Sequence, residues 1–353
     1  MLEHEQSRPQ HQEHPLAVAP ALEPEAAVEH QPAVSAVPPA ASFEELTNQP
    51  TVGAEQAAAR PAEEEQIPLS TSDTVVEQLS HGMVAKELDE NDERYLASNG
   101  YRAAPIIRGK HEFVMRSFLP TVAGKAPIVS FRGTVPSKVD TLIADLDPSG
   151  IGMYQFNPNR AMIEGQVQAA AAHGKIISAG HSLGGALAQI TAATFPDMVS
   201  SIVTFQAPGV SREMAQRIQN HNTENPEEAI ESSHHRVKGD LVPYGGEALT
   251  PGMVHNHEMT GGSMLSRNPL AKHLVFPLAQ EAIARGEDVP IHTDQNVVAT
   301  DSVDTEQANA DKTQLIELAR TGLGHLVFGT GKIIHGTGKV LSGIGYAVSS
   351  VFQ

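Results

Sequence analysis

The 353-residue sequence contains no cysteine and few basic residues, and each of these shortages excludes a class of protein. Without cysteine the chain can form neither a disulfide bond nor a thiolate metal site. Its 24 Lys and Arg residues face 42 Asp and Glu residues, and the resulting net charge of −18 argues against a nucleic-acid partner. The N-terminus also lacks the basic and apolar regions of a secretory signal, so we expect no cleavable signal peptide.

The acidic residues are concentrated near the N-terminus, where residues 1–66 contain twelve Glu against only Arg8 and Arg60. The segment 1–68 is rich in Pro, Ala, Glu and Gln and has almost no large apolar residues. Such a segment buries too little apolar surface to offset the entropy lost when the chain is ordered. We therefore predict a disordered acidic extension over residues 1–68.

Strand and helix patterns alternate over the next segment, residues 69–290. Thr74 and Glu77 predict a capping box at the start of its first helix, whose apolar residues recur at helical spacing: Val75, Val76, Leu79, Met83, Val84 and Leu88. The predicted strands are His111–Phe118, Ala126–Phe131, 175–179, Ser201–Phe205 and His234–Lys238, and the predicted helices are 159–172, 183–194 and 211–220. This alternation predicts an α/β fold with a mostly parallel central sheet and a site at the carboxyl ends of its strands.

One motif in this segment joins a buried strand, a sharp turn and a helix. The predicted strand 175–179, with apolar residues at its centre, runs into the Gly-X-Ser-X-Gly pattern formed by Gly180, Ser182 and Gly184. This order is typical of the nucleophile elbow of an α/β-hydrolase, where glycines flank the serine because the turn leaves no room for side chains. The N–H group of Leu183, at the helix start, would point toward a developing oxyanion.

A nucleophilic serine needs a base and an acid that orients the base. Asp240 follows a predicted strand end, where a catalytic acid belongs, although it could be a simple turn residue. His255 and His257 lie in a segment rich in Gly, Met and Asn that is predicted as a loop, and the spacing leaves the base open among them and His273. His255 and His257 could also be a metal pair, but no third ligand is evident, so we expect neither a metal ion nor a cofactor.

A second oxyanion donor is expected from the loop after an earlier strand. Gly133 lets the backbone turn there, and Thr134 can offer its N–H group and hydroxyl. Arg132 could tie this loop to a buried carboxylate such as Asp145. Residues 136–156 could form a lid over the site, or equally an ordinary core helix and loop.

The C-terminal part divides into a polar segment and a glycine repeat. Residues 291–312 are polar and acidic, which predicts a linker. In the tail over 313–353, Gly-X-Gly pairs recur every seven residues, at Gly322, Gly324, Gly329, Gly331, Gly336, Gly338, Gly343 and Gly345. In helical projection residues 314–353 form an amphipathic helix with a basic face, which favours an anionic membrane surface. Docking on the catalytic domain and glycine-mediated helix pairing are the alternatives.

Five sequence blocks, in this order, resemble the class 3 (fungal-lipase-type) lipase family over about residues 100–290. The blocks are Phe131–Thr134, Leu142–Leu146, Gly180–Ala188, Phe205–Pro208 and Gly239–Pro243. The resemblance implies an α/β-hydrolase that cleaves carboxylic esters of lipids, with Ser182 as nucleophile and Asp240 as the acid.

The same resemblance implies an oxyanion hole formed by Thr134 and Leu183. It also favours His273 as the base, because the family's catalytic histidine lies late in the domain, in a His-Leu step before an aromatic residue. The stretch around His255 is similar to the family's non-catalytic histidine segment.

Two departures from the family pattern leave the substrate class open. The chain has no Trp where the family often has one near residues 139–141, and Gln206–Gly209 stands where Gly-X-Pro-Arg is usual. We expect a triacylglycerol lipase or a phospholipase A type enzyme acting on a lipid or acyl-ester substrate. The alternatives are a soluble esterase on small acyl esters and an inactive membrane-binding effector with a lipase-like fold. By analogy, a long extension without a signal suits export by a non-classical route, as for a bacterial effector.

Overall fold

The computed structural model describes residues 70–134, 151–260 and 268–313. The predicted disordered extension over 1–68 and the predicted amphipathic tail over 314–353 lie outside these described residues. Asp145 and most of the candidate lid lie outside them as well.

A mixed sheet of nine strands forms the centre of the described part. The strands are β1 Tyr101–Ala103, β2 Ile107–Arg108, β3 Val114–Pro120, β4 Ile128–Phe131, β5 Ile176–His181, β6 Val199–Phe205, β7 Glu231–Val237, β8 Gly252–Met259 and β9 Val297–Asp304. Their order is β1-β3-β4-β5-β6-β7-β8-β9, and β2 pairs with β3 at the edge. Strands β4 to β8 are parallel, while β1 to β4 and the β8–β9 pair are antiparallel. The predicted α/β fold with a mostly parallel sheet is therefore confirmed.

Helices cover both faces of this sheet. The α-helices are α1 Asp73–Glu77, α2 Glu90–Ser98, α3 Met153–Ala171, α4 Leu183–Thr194, α5 Arg212–Glu224, α6 Pro269–His273, α7 Pro277–Ala284 and α8 over 305–313. A π-helix, Gln78–Met83, follows α1, and short 3₁₀ turns span Pro196–Met198, Pro226–Glu228 and Val242–Tyr244. No described helix has both the length and the apolar character needed to cross a bilayer.

The core is divided by the sheet into two main layers. Val129 and Phe131 of β4 pack with residues of α3, α4 and α5 on one face. Ile128, the alternate residue of the same strand, packs with α1, the π-helix and Leu278 of α7 on the other. Because successive strand side chains point to opposite faces, a parallel strand covered on both sides is a continuous apolar run. That pattern made β4, β5 and β6 recognisable in the sequence.

The interpretation of residues 291–312 as a linker is wrong. Strand β9 pairs antiparallel with β8 over its whole length, and α8 starts directly after it. Strand β9 is at the edge of the sheet, and most of its side chains are exposed. Polar side chains on an edge strand discourage pairing with a strand of another chain. In α8, buried Lys312 donates hydrogen bonds of 2.6 Å each to the carbonyl oxygens of Gly245 and Gly246. The folded unit therefore extends at least to residue 313.

Two local predictions also need correction. The first helix is capped by Ser72, whose hydroxyl accepts from the N–H of Val75, and Thr74 lies inside the helix without a capping box. Glu77 is instead buried and accepts hydrogen bonds from the first turn of α7. The segment with His255 and His257, predicted as a loop, is strand β8. Its four consecutive polar residues, 255–258, lack the alternation of polar and apolar residues by which a half-buried strand is recognised.

Candidate active site

Ser182 occupies the turn between β5 and α4, in a backbone conformation that non-glycine residues rarely adopt, with φ 56° and ψ −132°. The backbone N–H of Ser182 donates to the carbonyl oxygen of Phe205 in the neighbouring strand, at 2.9 Å. An added Cβ on Gly180 would overlap the backbone of Gly184, and one on Gly184 would overlap the carbonyl group of Phe131. Strand and helix approach so closely here that only glycine fits at these two positions.

Asp240 and His273 reach Ser182 from two later parts of the chain. Asp240 lies in the turn after β7, and His273 ends the short helix α6. His273 Nδ1 is 2.8 Å from Asp240 Oδ2, and His273 Nε2 is 2.8 Å from Ser182 Oγ. All three side chains are buried. Since the carboxylate accepts from Nδ1–H, Nε2 is left to accept from the serine hydroxyl.

The second carboxylate oxygen of Asp240 is also occupied. Asp240 Oδ1 accepts a hydrogen bond of 3.0 Å from the backbone N–H of Val242 in the following turn. One oxygen therefore fixes the carboxylate to its own loop while the other faces the imidazole, which holds the ring plane and its tautomer.

The other two candidate bases lie elsewhere on the sheet. His255 Nδ1 is 2.8 Å from Ser302 Oγ of the edge strand, and His257 Nε2 is 3.1 Å from His235 Nδ1. The structure thus brings His273, and neither His255 nor His257, into contact with Ser182. No three metal-binding side chains are arranged to hold an ion within the described residues.

The loop after β4 lies directly beside Ser182. An added Cβ on Gly133 would be 2.6 Å from the carbonyl oxygen of His181 and 2.9 Å from Ser182 Cβ. Thr134 follows at once, and Leu183 opens α4, where the first N–H groups of a helix have no acceptor within the helix. One predicted oxyanion donor therefore belongs to the residue after Ser182, and the other to the residue after Gly133, which packs against Ser182.

Two histidines behind the site were not predicted from the sequence. His181 Nε2 donates to the carbonyl oxygen of His273 at 2.8 Å. The His81 ring is stacked between the rings of His181, at 3.6 Å between centroids, and Phe276, at 3.9 Å. Burial is the main cause that lowers the pKa of His81 to about 3. Burial also holds the pKa of His181 well below its usual value, so both rings are neutral.

His81 was missed because it lies in the π-helix. The wider turn of a π-helix displaces residues from the 3.6-residue period used to recognise an inward face. The apolar pattern of Leu79 and Met83 predicted the buried side, but it gave no signal for a histidine between them. His181 lies within the elbow motif, and only its contact with His273 shows a part in positioning that residue.

Comparison with known families decides what kind of domain this is. A phospholipase-like family model, the Tle-like phospholipase domain, matches residues 84–271, more than half of the chain. The chain belongs to the Tle-like phospholipase domain family. The matched segment includes Ser182 and Asp240 and ends two residues before His273. The expected lipase-like family with an α/β fold is confirmed.

The similarities of this chain to individual known proteins are distant. No curated protein matches it. Among solved structures, the crystal structure of M37 lipase is similar at 13% sequence identity with a TM-score of 0.35, covering 50% of this chain and 70% of that one. The family match therefore supports a lipid-ester hydrolase in general terms, and the chemistry must be argued from the site.

Proposed function

We propose that this protein is a serine hydrolase of the phospholipase A type, which cleaves a carboxylic ester of a phospholipid through Ser182, His273 and Asp240. The observation that carries the proposal is the buried chain of two 2.8 Å hydrogen bonds that joins the three side chains. The phospholipase-like family supports the choice of a phospholipid among lipid esters.

The reaction proceeds in two halves. Ser182 Oγ attacks the ester carbonyl carbon while His273 Nε2 takes the hydroxyl proton, and Asp240 stabilises the imidazolium. The tetrahedral intermediate collapses when the ester C–O bond breaks, and His273 gives its proton to the leaving lysophospholipid oxygen. Water then attacks the acyl-enzyme with His273 again as the base, which releases the fatty acid and restores Ser182.

The oxyanion of each tetrahedral intermediate would be bound by the backbone N–H groups of Leu183 and Thr134. Leu183 directly follows Ser182 at the start of α4, and Gly133, the residue before Thr134, packs against Ser182 and the His181 carbonyl oxygen. Donors aimed in advance at the developing charge stabilise the transition state without reorganisation.

Gly133→Ala is expected to lower kcat by about 10²-fold or more, the usual cost of one oxyanion donor. The added methyl group would press on His181 and Ser182 and displace the N–H of Thr134. Steady-state kinetics on a soluble ester measure the effect. Gly165→Ala is the matched control, because a Cβ on this exposed helical residue meets nothing within 4 Å. Equal rates for the two variants would contradict the role of this loop.

The decisive experiment compares wild type and Ser182→Ala on phospholipid vesicles and on emulsified triacylglycerol, with the released products identified by mass spectrometry. We expect fatty acid and lysophospholipid from the vesicles with wild type alone. Release from triacylglycerol alone would make the protein a neutral lipase, and hydrolysis of small soluble esters alone would make it an esterase. Undiminished release by Ser182→Ala would refute the mechanism.

Several narrower expectations stay predictions. These are the class 3 assignment, export by a non-classical route, membrane contact through residues 314–353 and the disordered character of residues 1–68. None of them is needed for the chemistry proposed at Ser182.

A further inference from the structure

Basic residues are concentrated in one part of this acidic protein. Residues 101–134 contain six Lys and Arg and a single acidic residue, Glu112, although the whole chain has a net charge of −18. Three of the cations, Arg108, Lys110 and Arg132, lie in or beside the connection between β2 and β3. Arg108 and Lys110 are exposed.

The sheet register places this connection at the active-site end of the molecule. Arg108 pairs with Val114, the first residue of β3, and the N–H of Arg132 donates to the carbonyl oxygen of Val114 at 3.0 Å. Arg132 directly follows β4, whose last residue pairs with Gly180, two residues before Ser182. The basic residues and the serine therefore share one edge of the sheet.

The loop that carries Lys110 is held in a strained conformation. His111 and Glu112 both have left-handed φ values, 58° and 59°, which non-glycine residues adopt at a cost. Gln155 Nε2 donates to the carbonyl oxygen of His111 at 2.8 Å, and Arg132 Nη2 donates to that of Glu112 at 2.6 Å. Consecutive strained residues persist only where surrounding contacts fix them, so the backbone that carries the exposed side chains of this loop is held in place.

Helix α3 supplies both an anchor and an aromatic residue to the same edge. Asn159 Oδ1 accepts from the backbone N–H of Lys110 at 2.8 Å. Tyr154, in the first turn of the helix, is 71% exposed, and its ring centroid lies 4.1 Å from that of His111. An exposed tyrosine beside cations is typical of surfaces that contact the headgroup level of a bilayer.

We propose that Arg108, Lys110 and Tyr154, the headgroup surface, bind an anionic phospholipid bilayer and direct the Ser182 edge of the protein toward it. This inference rests on the proposed function, which requires a lipid substrate. An anionic bilayer repels a chain of charge −18 as a whole, so productive contact needs a local patch of opposite charge. Arg132 interacts with the charge of Glu112, and the exposed Arg108 and Lys110 supply the patch.

The test measures co-sedimentation of the full chain with vesicles of phosphatidylcholine, with or without phosphatidylglycerol. All proteins carry Ser182→Ala, so binding is read without turnover. Arg108→Gln combined with Lys110→Gln should weaken binding to the anionic vesicles about 10-fold or more, from the usual contribution of two basic residues at a membrane surface. Tyr154→Ala should weaken binding to both kinds of vesicle.

The matched control removes the same charge elsewhere. Arg102 pairs with Leu119, near the end of β3 opposite to the one that pairs with Arg108, and Arg217 pairs with Glu213 on α5. Arg102→Gln combined with Arg217→Gln should leave binding to anionic vesicles unchanged. Equal weakening by both double variants would show that only net charge matters. No weakening by either would show that the headgroup surface does not bind the vesicles. Each of these two results overturns the proposal. Thermal unfolding of every variant confirms its fold.

The outcome is independent of whether the ester chemistry is right. If wild type hydrolyses no lipid while the Arg108 and Lys110 variant selectively loses vesicle binding, the proposed function fails and the headgroup surface stands. If wild type hydrolyses vesicles and the variant binds them normally, the proposed function stands and the headgroup surface fails.

Discussion

Alanine substitution of Ser182 or of His273 is expected to lower kcat by about 10⁴-fold or more, and the double substitution should cost no more than either change alone. The reason is that the serine hydroxyl, the imidazole and the Asp240 carboxylate are joined by direct hydrogen bonds and would act as one unit. Once either member is removed, the other has no proton transfer left to perform.

Steady-state kinetics on a soluble ester, for the two single variants and the double variant, measure this non-additivity. His255→Ala is the control, because His255 is bonded to Ser302 on the edge strand. Its kcat should stay within about twofold of wild type, as for a residue outside the reacting unit. If the losses at Ser182 and His273 multiply in the double variant, or if His255→Ala abolishes turnover, the assignment of His273 as the base is wrong.

Mild acid is expected to destabilise the domain, because four histidines whose pKa values are lowered by desolvation are neutral in the fold. Burial is the first cause in each case, and it lowers the pKa of His81 and His257 to about 3 and that of His234 to about 4. The pKa of His181 lies well below its usual value for the same reason. In the unfolded chain all four would take up a proton near pH 6.5.

The direction of this pH dependence is set by whether the folded or the unfolded state binds more protons. Below about pH 6.5 the unfolded state binds them and the fold does not, so the stabilisation is complete above that pH and is lost toward the folded pKa values. Each histidine contributes a slope of about 1.4 kcal/mol per pH unit. Glu77 acts in the opposite direction, since burial raises its pKa from 4.5 to about 8 and its stabilising contribution is lost as the pH rises between these two values. The free energy of unfolding should therefore fall with decreasing pH at a net slope equal to that of about three histidines.

Denaturant unfolding at a series of pH values from about 7.5 to 5 measures this slope. His234 provides the sharpest variant: its Nε2–H donates to the Thr250 carbonyl oxygen, and its Nδ1 accepts from the Thr204 hydroxyl at 2.7 Å. His234→Gln should reduce the slope by about one histidine's share. His173→Gln, at an exposed position, should leave it unchanged. A wild-type stability that does not fall below pH 6.5 would contradict the prediction.

The parts of the fold that were predictable are those specified by neighbouring residues. Strands β4 to β6 are buried on both faces and therefore stand out as short apolar runs, and the elbow around Ser182 demands glycine at fixed distances. The choice among three histidines was not local. His273 reaches Ser182 because helix α6 folds back over the end of the sheet, and only the family resemblance favoured it in advance.

The errors have equally physical causes. Strand β9 owes its place to backbone pairing with β8, which any polar sequence can provide, so its composition was interpreted as a linker. His81 is turned inward by a π-helix, which breaks the period used to find buried faces. The cap of the first helix was placed two residues late, because Ser72 and Thr74 are both good capping residues.

The position of Lys312 has a consequence for how such domains can be exchanged between proteins. Its ammonium group is buried under the loop that follows Asp240, bonded to two of the carbonyl oxygens there. A recombination point before β9 would separate the loop after Asp240 from Lys312, which donates hydrogen bonds to that loop. A domain moved into another protein would therefore have to include α8 if the loop after Asp240 is to keep these two hydrogen bonds.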